Sequence, residues 1–352
     1  MKLGKKIIGD GCPVYIVFEA GPTHEGLDSA KKLVDFAAAA GADAVKFQIL
    51  DPDRLVPDRK QLFSYEVLLD KETGAREQKT EPLYDILMRR YWNFDQWREL
   101  KHYCDGLGIE FFSTVTFKNE VDFLVDIGVK TLKICSGDVN HLPFIRYCAD
   151  TGLMIQLDTG NATIGEVERA YDEILGTGNN QIIIHNCPSG YPARLESINL
   201  NIIPTLKQMF GCPVAFSDHT PGWEMDIAAV ALGANMVEKT ITLDRTTSSI
   251  EHLFSIEPIE MKKFVRSVRE LETALGNNRR ILGDIERKKG DGARRSIVLK
   301  RSVKKGQVLD GDVLGYARPG NGITPDMADI LVGKKVTGNF AEGHRLDWRD
   351  FE

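Results

Sequence analysis

Three lysines lie inside apolar runs: Lys46 in AVKFQ, Lys133 in LKICS and Lys239 in MVEKT. Burying an ammonium group is costly unless an anion pairs with it. That anion is either an internal carboxylate, with Glu19 and Glu238 the candidates, or a substrate carrying phosphate and carboxylate. Three such lysines favour the substrate. Lys46 and Gln48 are two residues apart, so they share one face of a strand. His219, beside Asp218 in SDHTPGW, precedes a Pro-Gly turn. It is a candidate metal ligand or acid/base, with a hydrogen-bonded structural histidine as the alternative. His24 and Glu25 follow one apolar run, and Glu251 and His252 follow another. Tyr191, in NCPSGYP, suits stacking on a sugar or packing of its own loop. His102, His141 and His344 have no supporting context and read as structural.

These residues need a scaffold that brings them together. Eight short β-rich runs recur: 14–19, 43–48, 109–113, 131–135, 153–157, 181–186, 213–217 and 235–239. They are mostly apolar rather than alternating, as parallel strands covered on both faces must be. Helical patterns separate them, including Ser29–Ala40, Glu120–Asp126, Ile164–Leu175 and Glu224–Leu232, each followed within two residues by glycine. Eight β-then-α units before residue 276 predict a (β/α)8 TIM barrel, with a doubly wound open sheet as the alternative. A barrel carries its active site at the C-terminal ends of its strands. Those ends read Glu19, Lys46 with Gln48, Ser113 with Thr114, Lys133 with Ser136, Asp158, Asn186, Ser217 with Asp218 and His219, and Glu238 with Lys239. A structural barrel has no need of so polar a rim. Residues 50–95 form a charged insertion, expected to cover the mouth as a lid. The barrel is assigned residues 1–276, a polar, basic linker residues 277–293, and a small β-rich domain residues 294–352.

Bulk properties narrow the classes. The 352-residue chain has a formal charge of −6, which argues against a nucleic-acid partner without forbidding a local anion site. No apolar run approaches the roughly 20 residues of a membrane span, and no signal-peptide core follows Met1, so a cytoplasmic protein without a membrane partner is expected. The six cysteines are scattered, without a CxxC pair, and read as reduced thiols.

The same segments resemble the sialic acid synthase family, which includes N-acetylneuraminate, legionaminate and pseudaminate synthases. The matching stretches are EAGPTHEG (19–26), GADAVKFQ (41–48), LKICSGD (132–138), NCPSGYP (186–192), NLNIIPTLK (199–207), FSDHTPG (216–222), ALGANMVEKTITLDR (231–245), HLFSIEP (252–258) and YARPGNGI (316–323). They run in family order over nearly the whole chain. The resemblance implies a TIM barrel followed by an antifreeze-like SAF domain, in a domain-swapped homodimer whose SAF domain caps the partner's barrel. It implies an enzyme that condenses phosphoenolpyruvate with an aldose, expected to be a 2-acetamido-hexose, giving a nonulosonic acid and phosphate. A divalent metal, Mn2+ or Mg2+, would polarise the aldehyde as a Lewis acid. On this resemblance Glu19, Lys133 and His219 are catalytic. Lys46, Gln48, Thr114, Lys133, Ser136 and Ser217 hold phosphoenolpyruvate. Tyr191, Asp218, Glu238 and Arg318 face the aldose, and His219 binds the metal.

Three positions depart from the family pattern. Thr240 stands where the family has histidine, its second metal ligand, and a neutral hydroxyl is a much poorer one. Glu25, where the family has asparagine, is the candidate substitute. Asp158 stands where the family has a serine near the phosphate, and a carboxylate there is repulsive unless protonated or bridged by a cation. THEG replaces NHNG. The alternatives are the same chemistry on an amino-modified or phosphorylated aldose, and a non-catalytic sugar-binding relative.

Overall fold

A computed structural model describes residues 1–276 and 278–352. The chain falls into two compact units, residues 1–276 and 277–352. The first unit is a closed barrel of eight parallel strands: β1 Tyr15–Glu19, β2 Ala44–Gln48, β3 Glu110–Val115, β4 Thr131–Ile134, β5 Met154–Asp158, β6 Ile182–Asn186, β7 Val214–Asp218 and β8 Met236–Thr240. They lie in sequential order, and β8 closes on β1 with Thr240 opposite Glu19. All eight expected strands are present, displaced by at most two residues at either end. Closure, rather than an open doubly wound sheet, is what eight consecutive β-then-α units produce.

Local rules account for the helices between the strands. Leu27–Ala40 stops at Gly41, whose φ of 88° lies in the left-handed region a helix C-cap requires. Phe94–Leu107 and Ile164–Gly176 start from capping boxes, Asn93 with Gln96 and Thr163 with Glu166.

Successive residues of a strand face opposite sides of the sheet, which divides the barrel in two. Ile16, Phe18, Val45, Phe47, Ile155, Leu157, Val214, Phe216 and Val237 pack outward in the large core shared with the helices. Tyr15, Val17, Ala44, Phe112, Met154, Ile183, Ala215 and Met236 fill the lower interior. An N-terminal hairpin, Lys2–Leu3 with Lys6–Ile7, adds Leu3 and Ile8 to that inner cluster. The inward residues that face the C-terminal end of the barrel are polar, with Thr131, Gln156 and His185 buried below them.

The expected lid has structure of its own. Within residues 50–95, Leu62–Leu68 pairs antiparallel with Arg76–Pro82, flanked by the short helices Pro52–Leu55 and Leu83–Met88. Tyr65, Val67 and Ile86 form its small core. Lys71 pairs with Asp244 (2.9 Å) and Glu257 (2.6 Å), which ties the hairpin to the segment after β8.

The expected linker begins at residue 277, outside the described residues. Within it, Asp284–Ala293 is helical. The remainder of the second unit is a small β domain. Ser296–Leu299 pairs with Leu314–Ala317, and isolated bridges such as Val303 with Phe340 and Val336 with Phe351 complete it around Ile297, Leu309, Val313, Leu331 and Leu346. Among the described residues no helix is long and apolar enough to cross a membrane, and all six cysteines are free thiols.

Candidate active site

Inward-facing residues of six of the eight strands line a cavity of about 340 Å3 at the C-terminal end of the barrel, a size suited to a small ligand. Glu19, Lys46, Gln48, Thr114, Asp158, Ser217 and Glu238 line it from the strands. Ser136, Tyr191, His219 and Glu251 line it from the following loops, and Leu55 and Leu87 from the insertion.

Its floor is an ion-pair network. Lys46 Nζ lies 2.5 Å from Glu19 Oε2 and 2.6 Å from Glu238 Oε1. Lys133 Nζ donates to both Glu238 oxygens, at 2.8 and 2.7 Å, and to Ser217 Oγ at 3.4 Å. Ser217 Oγ donates in turn to Glu238 Oε1 at 2.9 Å. Gly21 N–H donates to Glu19 Oε1 at 2.6 Å, and a Cβ at Gly21 would lie 2.7 Å from Gln48 N and 2.8 Å from that carboxylate oxygen. Only glycine lets the backbone approach so closely.

The two readings of Lys46 and Lys133 thus coexist. They pair with Glu19 and Glu238; Lys46 lines the cavity, and Lys133 lies fully buried beneath it, reaching the lining residues Ser217 and Glu238. Two buried ammonium groups meet four buried carboxyls: Glu19, Asp158, Glu238 and Glu251. Not all four can ionise. Although burial alone would raise Glu238, Lys133 and Lys46 hold it well below the ordinary carboxylate range. Burial raises Glu19 and Asp158, and it pushes Glu251 to about 8. Glu238 is thus held ionised while Glu251 keeps its proton below about pH 8, so the carboxyls do not simply cancel the two lysines.

His219 stacks on Tyr191, ring centroids 4.8 Å apart, and its Nδ1 donates to the Pro188 carbonyl at 3.2 Å. Burial lowers its pKa to about 4, so it is neutral with Nε2 free to accept. Thr240 Oγ1 donates to Glu251 Oε2 at 3.3 Å. Glu251 itself holds a left-handed φ of 75°, a strain that non-glycine residues show mostly where function requires it.

Several expectations are corrected by strand parity. Lys239 and Asp218 point outward: Lys239 Nζ pairs with Asp218 Oδ2 at 2.5 Å and also donates to the Thr220 carbonyl, with both side chains fully buried. Neither lines the cavity, so Asp218 is not placed to meet an aldose and Lys239 is not a third anion-binding lysine. Asn186 also faces outward, donating to the Ile198 carbonyl. His24 is packed against Trp92 (4.3 Å) and Phe47 (5.9 Å), away from the cavity. Glu25 is exposed and lies outside the cavity lining, so it is not the substitute metal ligand. The carboxyl that meets Thr240 is Glu251. Arg318 lies in the second unit and is exposed.

A resident metal does not fit these side chains. Among the described residues no three His, Cys, Asp or Glu groups converge as ligands. His219 offers one neutral nitrogen, and Thr240, hydrogen-bonded to Glu251, offers only a neutral hydroxyl, a much weaker ligand than an imidazole.

Residue types alone placed Glu251 after an apolar run without giving it a role, and did not reveal Gln156 or His185. Counting back by twos from Asp158, and by one from Asn186, would have found the last two.

Residues 33–280 match the NeuB family, and residues 294–352 match the SAF domain. The chain is 35% identical to the N,N'-diacetyllegionaminic acid synthase of Legionella pneumophila, over 99% of this chain and 98% of that protein. It is 32% identical to human N-acetylneuraminate-9-phosphate synthase, over 94% and 90%. The crystal structure of an N-acetylneuraminic acid synthetase from Leptospira borgpetersenii superposes with a TM-score of 0.71 at 30% identity, covering 82% of this chain and 94% of that one.

Proposed function

We propose, because this chain belongs to the NeuB family, that it condenses phosphoenolpyruvate with the open-chain aldehyde of a 2-acetamido-hexose, releasing phosphate and a 3-deoxy-2-keto sugar acid. The observation that carries this reading is the pair Lys46 and Lys133, buried at the floor of a cavity whose Ser217, Thr114 and Ser136 hydroxyls complete an anion site. Fixed donors aimed at a phosphate act strongly where water is excluded.

The chemistry follows from these groups. C3 of phosphoenolpyruvate attacks the aldehyde carbon. The carbonyl electron pair moves to oxygen, which takes the proton of Glu251. Cationic character develops at C2, where Glu19 and Glu238 lie near enough to stabilise it. Water adds at C2 and gives a proton to Glu19. The C2–O bond to phosphorus then breaks, the electron pair leaves with phosphate, and the C2 hydroxyl proton departs with it to leave the ketone. Tyr191 supplies a flat face and a hydroxyl for the sugar, and Arg318 of a second copy is the expected contact to its substituent. Protonation by Glu251 takes the place that a Lewis acid would fill, so no step depends on a metal.

The first test is phosphate release from phosphoenolpyruvate with a panel of aldoses, after chelation and with added Mn2+ or Mg2+. Release that depends on one aldose and survives chelation is expected. Release only with metal would overturn the assignment of the acid role to Glu251, and no release with any aldose would overturn the synthase reading. An amino-modified or phosphorylated aldose as the preferred acceptor would revise only the substrate.

Lys239→Met checks the outward parity. Losing one partner of a buried pair costs about 3–5 kcal/mol, so urea unfolding should show a loss of that size. Phosphoenolpyruvate affinity of the folded variant should match wild type, because Lys239 is outside the cavity lining. Weakened binding would return Lys239 to the site.

A further inference from the structure

A buried chain of polar groups crosses the barrel interior below the cavity, and its hydrogen-bond polarity can be followed from one end. The Thr131 hydroxyl donates to the Met154 carbonyl at 2.9 Å, which uses its only proton. Gln156 therefore meets Thr131 through its amide N–H, Nε2 to Oγ1 at 3.1 Å, and this turns Gln156 Oε1 toward His185 Nε2 at 2.9 Å. That nitrogen carries the hydrogen. His185 is fully buried, and burial together with Lys133 holds its pKa well below the ordinary value, so the ring is neutral and Nδ1 is a bare lone pair.

His185 Nδ1 faces Asp158 Oδ1 at 3.7 Å, and neither atom has an aligned partner. Lys133 Nζ is 3.1 Å from the same oxygen. Its three N–H groups, however, are taken by the two Glu238 oxygens and Ser217 Oγ. Two lone pairs facing each other in a buried space repel, and a proton between them turns the repulsion into a hydrogen bond. Burial is the largest influence on the Asp158 carboxyl and raises it, as Glu238 does, against the lowering pull of Lys133 and Lys46, and the net direction is upward.

We propose that Asp158 is held as a neutral carboxylic acid whose Oδ1–H donates to His185 Nδ1, so that an incoming phosphate meets no negative charge at this position and Lys133 keeps its charge for the anion. His185 and Asp158 are then positioning residues acting through Lys133. The statement about phosphate rests on the phosphoenolpyruvate reading above, whereas the protonation of the pair does not.

Two measurements test the proposal. The first is 15N NMR of histidine-labelled wild-type protein near neutral pH without ligand, with His185 identified by its loss in His185→Gln. A protonated Nε2 and an unprotonated Nδ1 shifted upfield, as for a nitrogen that accepts a hydrogen bond, are expected. An unprotonated Nδ1 at the position of a free imidazole nitrogen would show no proton on Asp158 and would overturn the proposal. A protonated Nδ1 would overturn the proposal, because His185 would then donate to an ionised Asp158. If wild type fails to bind phosphoenolpyruvate, the synthase reading falls while this spectrum still decides the state of the pair. The second is calorimetric phosphoenolpyruvate binding to Asp158→Asn, whose amide N–H can replace the carboxyl O–H. The dissociation constant should change less than about tenfold, equivalent to 1.4 kcal/mol, and its dependence on pH should be flatter than in wild type. A larger loss would show that the ionised carboxylate is required and would overturn the proposal.

Discussion

Lys133→Ala is expected to raise the dissociation constant for phosphoenolpyruvate by at least about a hundredfold, roughly 2.7 kcal/mol, measured by calorimetry or thermal shift. Lys133 is fully buried and donates to Glu238 and Ser217 at the cavity floor. A unit charge about 4 Å from an anion contributes roughly 4 kcal/mol at the effective dielectric of a protein site. Its removal also withdraws the main positive charge that holds Glu238 ionised. Glu238 would then either protonate or stand against the substrate as a poorly compensated anion, and both weaken the site. The barrel should remain folded, with a stability loss of about 3 kcal/mol for breaking a buried pair, readable by urea unfolding. Unchanged binding by the folded variant would remove the anion-site reading.

Glu251→Gln is expected to lower kcat by about 10²–10³, within the range for loss of a general acid, with little change in phosphoenolpyruvate binding. The amide keeps the shape and can still accept from the Thr240 hydroxyl, but it has no proton to give to an aldehyde oxygen. The pH profile provides a second reading. Burial raises Glu251 to about 8 in the folded protein, so its proton is present below that pH and is lost above it. Wild-type kcat should fall as pH rises through about 8, and the variant should lack that descending limb. An unchanged kcat, or a limb that persists in the variant, would assign the proton transfer elsewhere.

The two lysines at the cavity floor, Lys46 lining it and Lys133 beneath it, were legible because an ammonium inside an apolar run needs an anion whatever the fold. The third, Lys239, carries the same local signal and proves to be a structural partner of Asp218. The difference is one residue of strand register. In β8 Glu238 faces inward and Lys239 outward, and the apolar run MVEKT, buried on both sides, contains no alternation that would tell them apart. The same ambiguity explains Asn186, which sits at a strand end but faces outward, while its neighbour His185 faces in. Glu251 was named without a role because it lies beyond the strands, in a loop whose left-handed turn brings it back over Thr240.

The sequence by itself determined the count, order and closure of the eight β-then-α units, the polar rim at their C-terminal ends, and the family. Local hydrophobic pattern and glycine stops act over a few residues, and repetition of one unit leaves few topologies. Only the tertiary structure decided which ionisable groups meet at the cavity floor and which merely brace the wall. Closing the barrel sets Lys46 against Glu238 across 192 residues of chain, and it packs four carboxyls around two lysines. Their protonation then depends on distances and burial that no stretch of sequence contains.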